Sequence, residues 1–112
     1  MLHFNQMDVY DDAKKYLLYC ETISQRMIMP VDDRLDHKIR SSLITLVSTI
    51  ARSSALVDTP EYNRSVIESV AWLHEIAAGF DIAHDKKAVD DEMFAKLKAK
   101  TEHLLSLLKQ SK

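Results

Sequence analysis

Apolar residues recur along this chain in steps of three and four, the period of a helix that buries one face. Val9, Ala13, Tyr16, Cys20, Ile23 and Met27 follow a 4-3-4-3-4 spacing, with Leu17 and Leu18 widening the stripe. Leu35, Ile39, Leu43, Leu46 and Ile50 repeat the pattern, flanked by Ile44, Val47 and Ala51. A third stripe runs through Tyr62, Val66, Leu73, Ile76, Phe80 and Ala83, and a fourth through Phe94, Leu97, Leu104 and Leu108. Breaks separate them at Pro30, at Asp58-Thr59-Pro60-Glu61 and at the charged turn from Asp85 to Val89. In the second break Thr59 suits an N-cap and Pro60 the first helical position. Acidic residues open the helices at Asp8, Asp11 and Asp12, at Asp32 and Asp33, and at Asp90, Asp91 and Glu92, while Lys109 and Lys112 close the last one, each sign complementing the helix dipole. The pattern predicts helices over 8–29, 32–57, 60–84 and 90–110. Short connections make sequential helices antiparallel, so the expected fold is a single all-α domain, an up-down-up-down four-helix bundle.

Composition agrees and excludes much else. One glycine and two prolines among 112 residues are too few for the turns of a sandwich or barrel, or for a phosphate-binding glycine loop. The single glycine, Gly79, lies inside the third helix, where it costs about 1 kcal/mol relative to alanine unless close approach of another helix recovers it. Apolar residues make up 46% of the chain, enough for one continuous core without disulfide or metal. Cys20, the one cysteine, sits on an apolar stripe and reads as a buried core residue in a reducing compartment. The residues from Met1 to Asp8 lack the basic cluster and apolar run of a signal peptide. No segment approaches the roughly 18 apolar residues of a membrane span. A cytoplasmic protein is expected. The net charge of −2 provides no global basic field for nucleic acid.

Candidate chemistry is sparse. A di-iron bundle needs Glu-x-x-His on two helices plus further glutamates; Asp81-Ile82-Ala83-His84 is a single near match at a helix end. His84-Asp85 alone lacks the companion ligands of a metal phosphohydrolase. Helical RNA-cleaving domains space Arg and His by four to six residues, whereas Arg34 and His37 have only two between them. Cys20 has no base near it in sequence. No catalytic residue, metal ligand, cofactor or small-molecule substrate is expected.

The second helix carries more information. Ser41, Ser42, Thr45, Ser48, Thr49, Ser53 and Ser54 interleave its apolar residues, and Lys38, Ser41, Thr45, Ser48 and Arg52 share one face. From His37 to Leu56 there are three basic residues and no acid, whereas Glu61, Glu68, Glu75 and Asp81 face only Arg64 in the third helix. Small residues that let helices approach, with opposite charges setting their pairing, account for this pattern. A weakly basic phosphate-binding surface and a partner-protein surface are the functional alternatives. Trp72, midway along the third helix, is a core residue or an interface anchor. The tyrosines Tyr10, Tyr16, Tyr19 and Tyr62 read as core and rim. Ala95-Lys96-Leu97-Lys98-Ala99-Lys100 reads as a solvated basic face.

These residues resemble a family. Leu35-Asp36-His37-Lys38-Ile39-Arg40, continuing to Ile50-Ala51, is similar to the second-helix signature of the four-helix-bundle proteins encoded by 23S rRNA intervening sequences. Ile39, Arg40, Ile50 and Ala51 match that signature, and Lys38 replaces its glutamine. Pro30 followed by acid and Arg34 resembles the family's link between helices. Glu61-Tyr62 and Leu73-His74-Glu75-Ile76 resemble its third-helix pattern. Thr49 replaces the usual asparagine, Arg52-Ser53 replaces Glu-Gly, and Trp72 stands where a small serine is usual. The resemblance implies a divergent member of a family of ring-like homo-oligomers, often pentamers, most without an established activity. A more distant likeness is to the accessory variability determinant of diversity-generating retroelements, a pentameric bundle that binds nucleic acid through a strongly basic surface.

Two functions follow as expectations. The first is a non-enzymatic, self-associating scaffold or adaptor that meets its own copies through Ser41, Thr45, Ser48, Arg52 and Trp72. The second is an accessory protein that contacts RNA or DNA through Arg34, Lys38, Arg40 and Arg52.

Overall fold

A computed structural model describes residues 8–25 and 33–110. Among these residues there are four α-helices: α1 (Asp8–Gln25), α2 (Asp33–Ser53), α3 (Tyr62–Asp85) and α4 (Asp91–Gln110), with a 3-10 turn, Ser54–Leu56, after α2. Among the described residues there is no strand. Residues 26–29 of the first predicted helix, with Met27, and the expected breaks and caps at Pro30 and Asp32, lie outside the described residues. The helices have 18, 21, 24 and 20 residues, which makes each about 27 to 36 Å long. None is long and apolar enough to cross a membrane among the described residues.

The four stripes meet in one core. Val9, Ala13, Tyr16, Cys20 and Ile23 from α1 are buried against Ile39, Leu43, Leu46 and Ile50 from α2 and Leu97, Leu104 and Leu108 from α4. From α3, Leu73, Ile76, Phe80 and Ala83 complete it. Each helix packs on two others: α1 on α2 and α4, and α3 on α2 and α4, with the α2–α3 contact the most extensive. Leu18 and Ile44, expected to widen their stripes, are exposed. Both lie far enough round their helices to leave the core-facing arc.

The α2–α3 contact depends on small residues. A Cβ placed on Gly79 would lie 2.7 Å from Cγ1 and 3.2 Å from Cδ1 of Ile39, so the backbone of α3 rests directly on that side chain. Close approach does occur there, as the lone glycine suggested. Near the far end of α2, Ser53 and Ser65 are buried with their hydroxyl oxygens 2.6 Å apart. Ser53 donates its own proton to the Thr49 carbonyl at 2.9 Å, so Ser65 is the donor of the pair. Ser69 donates to the Ser65 carbonyl at 3.1 Å. Buried hydroxyls are tolerated here because each is hydrogen-bonded, mostly to its own helix.

The helix ends differ from expectation at α3. Thr59 does not cap the helix. Its hydroxyl donates backwards to the Leu56 carbonyl at 2.6 Å, and α3 begins two residues after Pro60, at Tyr62. The preceding Asp58 takes a left-handed φ of 69°, turning the chain so that Thr59 closes the turn behind it. At the start of α4, Asp90 acts as the N-cap, its carboxylate accepting from the Met93 amide at 2.8 Å. The link between α3 and α4 is a Schellman turn: the Ala88 amide donates to the Ala83 carbonyl and the Lys87 amide to the His84 carbonyl, with Lys87 left-handed at φ 64°. The turn buries Ala88 and Val89, so the segment that reads as charged also contributes to the core.

Two stability predictions follow from these contacts. Gly79→Ala gains about 1 kcal/mol of helix propensity. It forces the fully buried Ile39 to move, and overpacking of that kind costs about 1–3 kcal/mol. Thermal or urea melts should therefore show the variant less stable than the parent. Lys87→Gly relieves a left-handed residue where glycine is preferred and should raise stability by about 0.5–1 kcal/mol, read as a higher denaturation midpoint at unchanged slope.

Candidate interaction groove between α2 and α3

Above the buried serines, an open groove of about 610 Å³ runs over the α2–α3 seam. Thr45, Thr49 and Arg52 line it from α2, and Glu68, Trp72 and Glu75 from α3. At one end Arg52 donates to Glu68 at 2.9 Å. At the other, the Lys38 ammonium lies 3.4 Å from Glu75 and 5.8 Å from the centre of the Trp72 ring. Trp72 is half-buried, its inner edge packed on the core and its outer edge on the groove. The hydroxyl of Thr45 donates to the Ser41 carbonyl and that of Thr49 to the Thr45 carbonyl. Between Lys38 and Arg52 the α2 wall therefore presents methyl groups and small side chains.

Of the candidate interface residues, the structure brings Thr45, Arg52 and Trp72 to this one groove and leaves Ser41 and Ser48 exposed on α2. It also divides the serines and threonines of the second helix into two groups. Ser42, Thr49 and Ser53 are buried, while Ser41 and Ser48 face solvent. Heptad spacing held the signal: Ser42 and Thr49 stand seven residues apart beside core positions, and Ser41 and Ser48 form a second heptad pair one residue earlier.

The candidate nucleic-acid cations are not a free basic surface. Lys38 and Arg52 face Glu75 and Glu68, and Arg40 donates through Nε to Asp36 at 2.9 Å. Asp36 also accepts from the Ser24 hydroxyl, to which the Arg40 guanidinium donates at 3.4 Å. Arg40 thus clasps α1 to α2. Arg34 is exposed in the first turn of α2 and has interactions of its own. A phosphate reaching Lys38, Arg40 or Arg52 would compete with a carboxylate already in place.

Elsewhere the polar groups serve packing. His84 stacks on Phe94 with ring centres 4.2 Å apart and planes within 2°, while its Nε2 lies 2.7 Å from an Asp91 oxygen. This cluster joins α3 to α4 across their turn. It was missed in the sequence because each member looks ordinary alone. Between α1 and α4, His103 lies 3.6 Å from Asp12, and Lys100 sits 4.8 Å over the Tyr19 ring. Among the described residues no three His, Cys, Asp or Glu side chains gather as a metal site.

Tyr16 and Cys20 form the chemically distinctive part of the interior. Thr101 donates to the Leu97 carbonyl, so the Tyr16 hydroxyl donates to Thr101 at 2.8 Å. Burial pushes the Cys20 thiol from 9.0 up to about 12, with the neighbouring Glu21 adding to the rise. Burial, and then the neighbouring Cys20, also raise the Tyr16 phenol far above its ordinary value. A thiol so placed is protonated and inert at neutral pH. No protein-family model, no curated protein and no solved structure matches the chain.

The sign of the pH effect is set by which state loses its proton first. The unfolded chain releases the Cys20 proton near 9 and the folded chain near 12. Stability from this group is complete below pH 9 and falls as pH rises towards 12, with Tyr16 adding in the same direction. Alkylation of native protein by iodoacetamide at pH 8 should proceed only as fast as the chain unfolds. A rate matching that of a small-molecule thiol would contradict this placement.

Proposed function

We propose that the chain is an antiparallel up-down-up-down four-helix bundle that self-associates through its α2–α3 face and acts as a scaffold or adaptor rather than an enzyme. Support for the antiparallel order comes from pairs of contacts that advance in opposite senses. Ile39 meets Gly79 while Ser53 meets Ser65, and Asp12 meets His103 while Tyr19 meets Lys100.

The observation that carries the functional reading is where large apolar side chains remain exposed. Among the described residues these are Ile44 on α2, Val57 in the following turn, Ile67 and Ile82 on α3, and Leu18 on α1; α4 contributes none. Single exposed apolar residues are ordinary. Four of the five lie on α2, on α3 or in the turn that joins them, outside the groove itself, whose half-buried tryptophan and small side chains have the composition of an interface core. The family resemblance, which implies homo-oligomers, points to self-association as well. The nucleic-acid reading is less favoured, because three of its four cations already face carboxylates of the same chain.

Trp72 is the single tryptophan, so its emission reports on this face alone. Light scattering at tens of micromolar should give a multiple of the 12.9 kDa chain mass. Over the same concentration range Trp72 emission should shift to the blue as water leaves its outer edge. A strict monomer with invariant emission would refute self-association.

A further inference from the structure

The groove carries charges of opposite sign at each height. Near one end stand Lys38 on α2 and Glu75 on α3; near the other, Arg52 on α2 and Glu68 on α3. This pattern limits how a second copy can lie against it. If two copies met with α2 over α2 in opposite directions, Lys38 would face Arg52 of the second copy and Glu75 would face its Glu68. Like charges so opposed are unfavourable. A two-fold axis running along the groove, parallel to the helices, gives the opposite result. It lays α2 of each copy over α3 of the other while keeping every residue at its own height. Lys38 then meets the second copy's Glu75, and Arg52 its Glu68, so each end becomes a closed square of alternating charge.

We infer that the α2–α3 groove is an isologous docking surface for a second copy of this chain, related by a two-fold axis along the groove, with Lys38 and Arg52 of each copy set against Glu75 and Glu68 of the other. The inference rests on the self-association reading and specifies its geometry. Shape agrees with charge. Trp72 on α3 lies across the groove from Thr45 and Thr49, so the same operation places each tryptophan over the small residues of the other copy's α2. Ser41, Thr45 and Ser48 leave room there for a large ring. The face is about 30 Å long and two helix diameters wide. It therefore covers on the order of 600 Å² per copy, or about 1,200 Å² in total, the lower end of what stable specific interfaces bury. The four charged side chains are between 47 and 62% exposed, so they reach a neighbouring copy without disturbing the core.

The test uses two charge-reversed forms of the full chain. One carries Lys38→Glu with Arg52→Glu, making both walls of the groove acidic; the other carries Glu68→Lys with Glu75→Lys, making both basic. Each alone should lose dimerisation, with a dissociation constant raised at least a hundredfold, since the operation now opposes like charges at four points. Mixed at equal concentration, the two should form a 1:1 heterodimer by sedimentation velocity, because each acidic wall meets a basic one. That rescue requires charges to pair between chains; restoring an intrachain ion pair cannot produce it. Circular dichroism and melts of each variant separate loss of association from loss of fold. Three outcomes overturn the inference: variants that associate as the parent does, a mixture that stays monomeric while both variants are folded, or a parent whose groove contacts build a ring of more than two chains, which an isologous face cannot do. A parent that is monomeric throughout overturns the self-association reading as well, which distinguishes the two failures.

Discussion

The separation of α2 from α3 is the constraint on which the rest of the molecule depends. At one end it is set by Gly79, whose missing side chain lets the α3 backbone rest on Ile39, and at the other by Ser53 and Ser65, whose hydroxyls touch. Helices held this close leave little room between them for a large ring. Trp72 lies on the α3 wall above that seam and is therefore only half-buried. The small residues that bring the helices together thus also determine that the largest side chain in the chain lies at a surface. Packing inside and chemistry outside follow from one choice of side-chain size.

A seam of hydroxyls is an unusual way to fill the middle of a small bundle, and it works through local hydrogen bonding. Thr45, Thr49, Ser53 and Ser69 each return their proton to a carbonyl one turn back. A buried hydroxyl paired in this way costs little, whereas an unpaired one costs about 1–3 kcal/mol. No buried side-chain oxygen or nitrogen among the described residues lacks a partner. Tyr16 and Thr101 apply the same rule between α1 and α4, where Thr101 links a buried phenol to the backbone. The interior is consequently polar in places yet chemically quiet, with its thiol held protonated.

Much of the fold was legible because helix burial is periodic. Of the residues on the central lines of the four stripes, Tyr62, Leu35 and Phe94 are half-buried, Met27 lies outside the described residues, and the others are core; of the flanking ones, Leu17, Val47 and Ala51 are half-buried and Leu18 and Ile44 exposed. What was illegible depends on backbone geometry or on register between helices. Thr59 has the side chain of an N-cap, but the left-handed Asp58 before it turns the hydroxyl back onto Leu56. Lys87 sits left-handed where sequence rules expect glycine, held there by the hydrogen bonds around it and by burial of Ala88 and Val89. The opposite charges of the second and third helices were visible in the sequence as a bias. Which cation meets which acid depends on how far one helix slides along the other, and Gly79 and Ser65 set that slide. The groove was legible as a list of residue types on α2 and not as a place.

The charged pairs of the groove bear differently on fold and on recognition. Exposed ion pairs between long side chains contribute about 0–1 kcal/mol each to stability. Lys38, Glu75, Arg52 and Glu68 are all of that kind, and the core beneath them does not need them. When a second surface covers such charges, water no longer screens them, and the sign of each contact matters by several kcal/mol. A face that is nearly neutral in free energy while open to water thus becomes strongly selective once covered. In the proposed pairing the bundle would supply rigid helices at a fixed separation, and the alternating charges would supply orientation. Folding and the proposed recognition are physically separable, since the seam residues are buried between the helices while the rim charges are exposed and contribute little to stability.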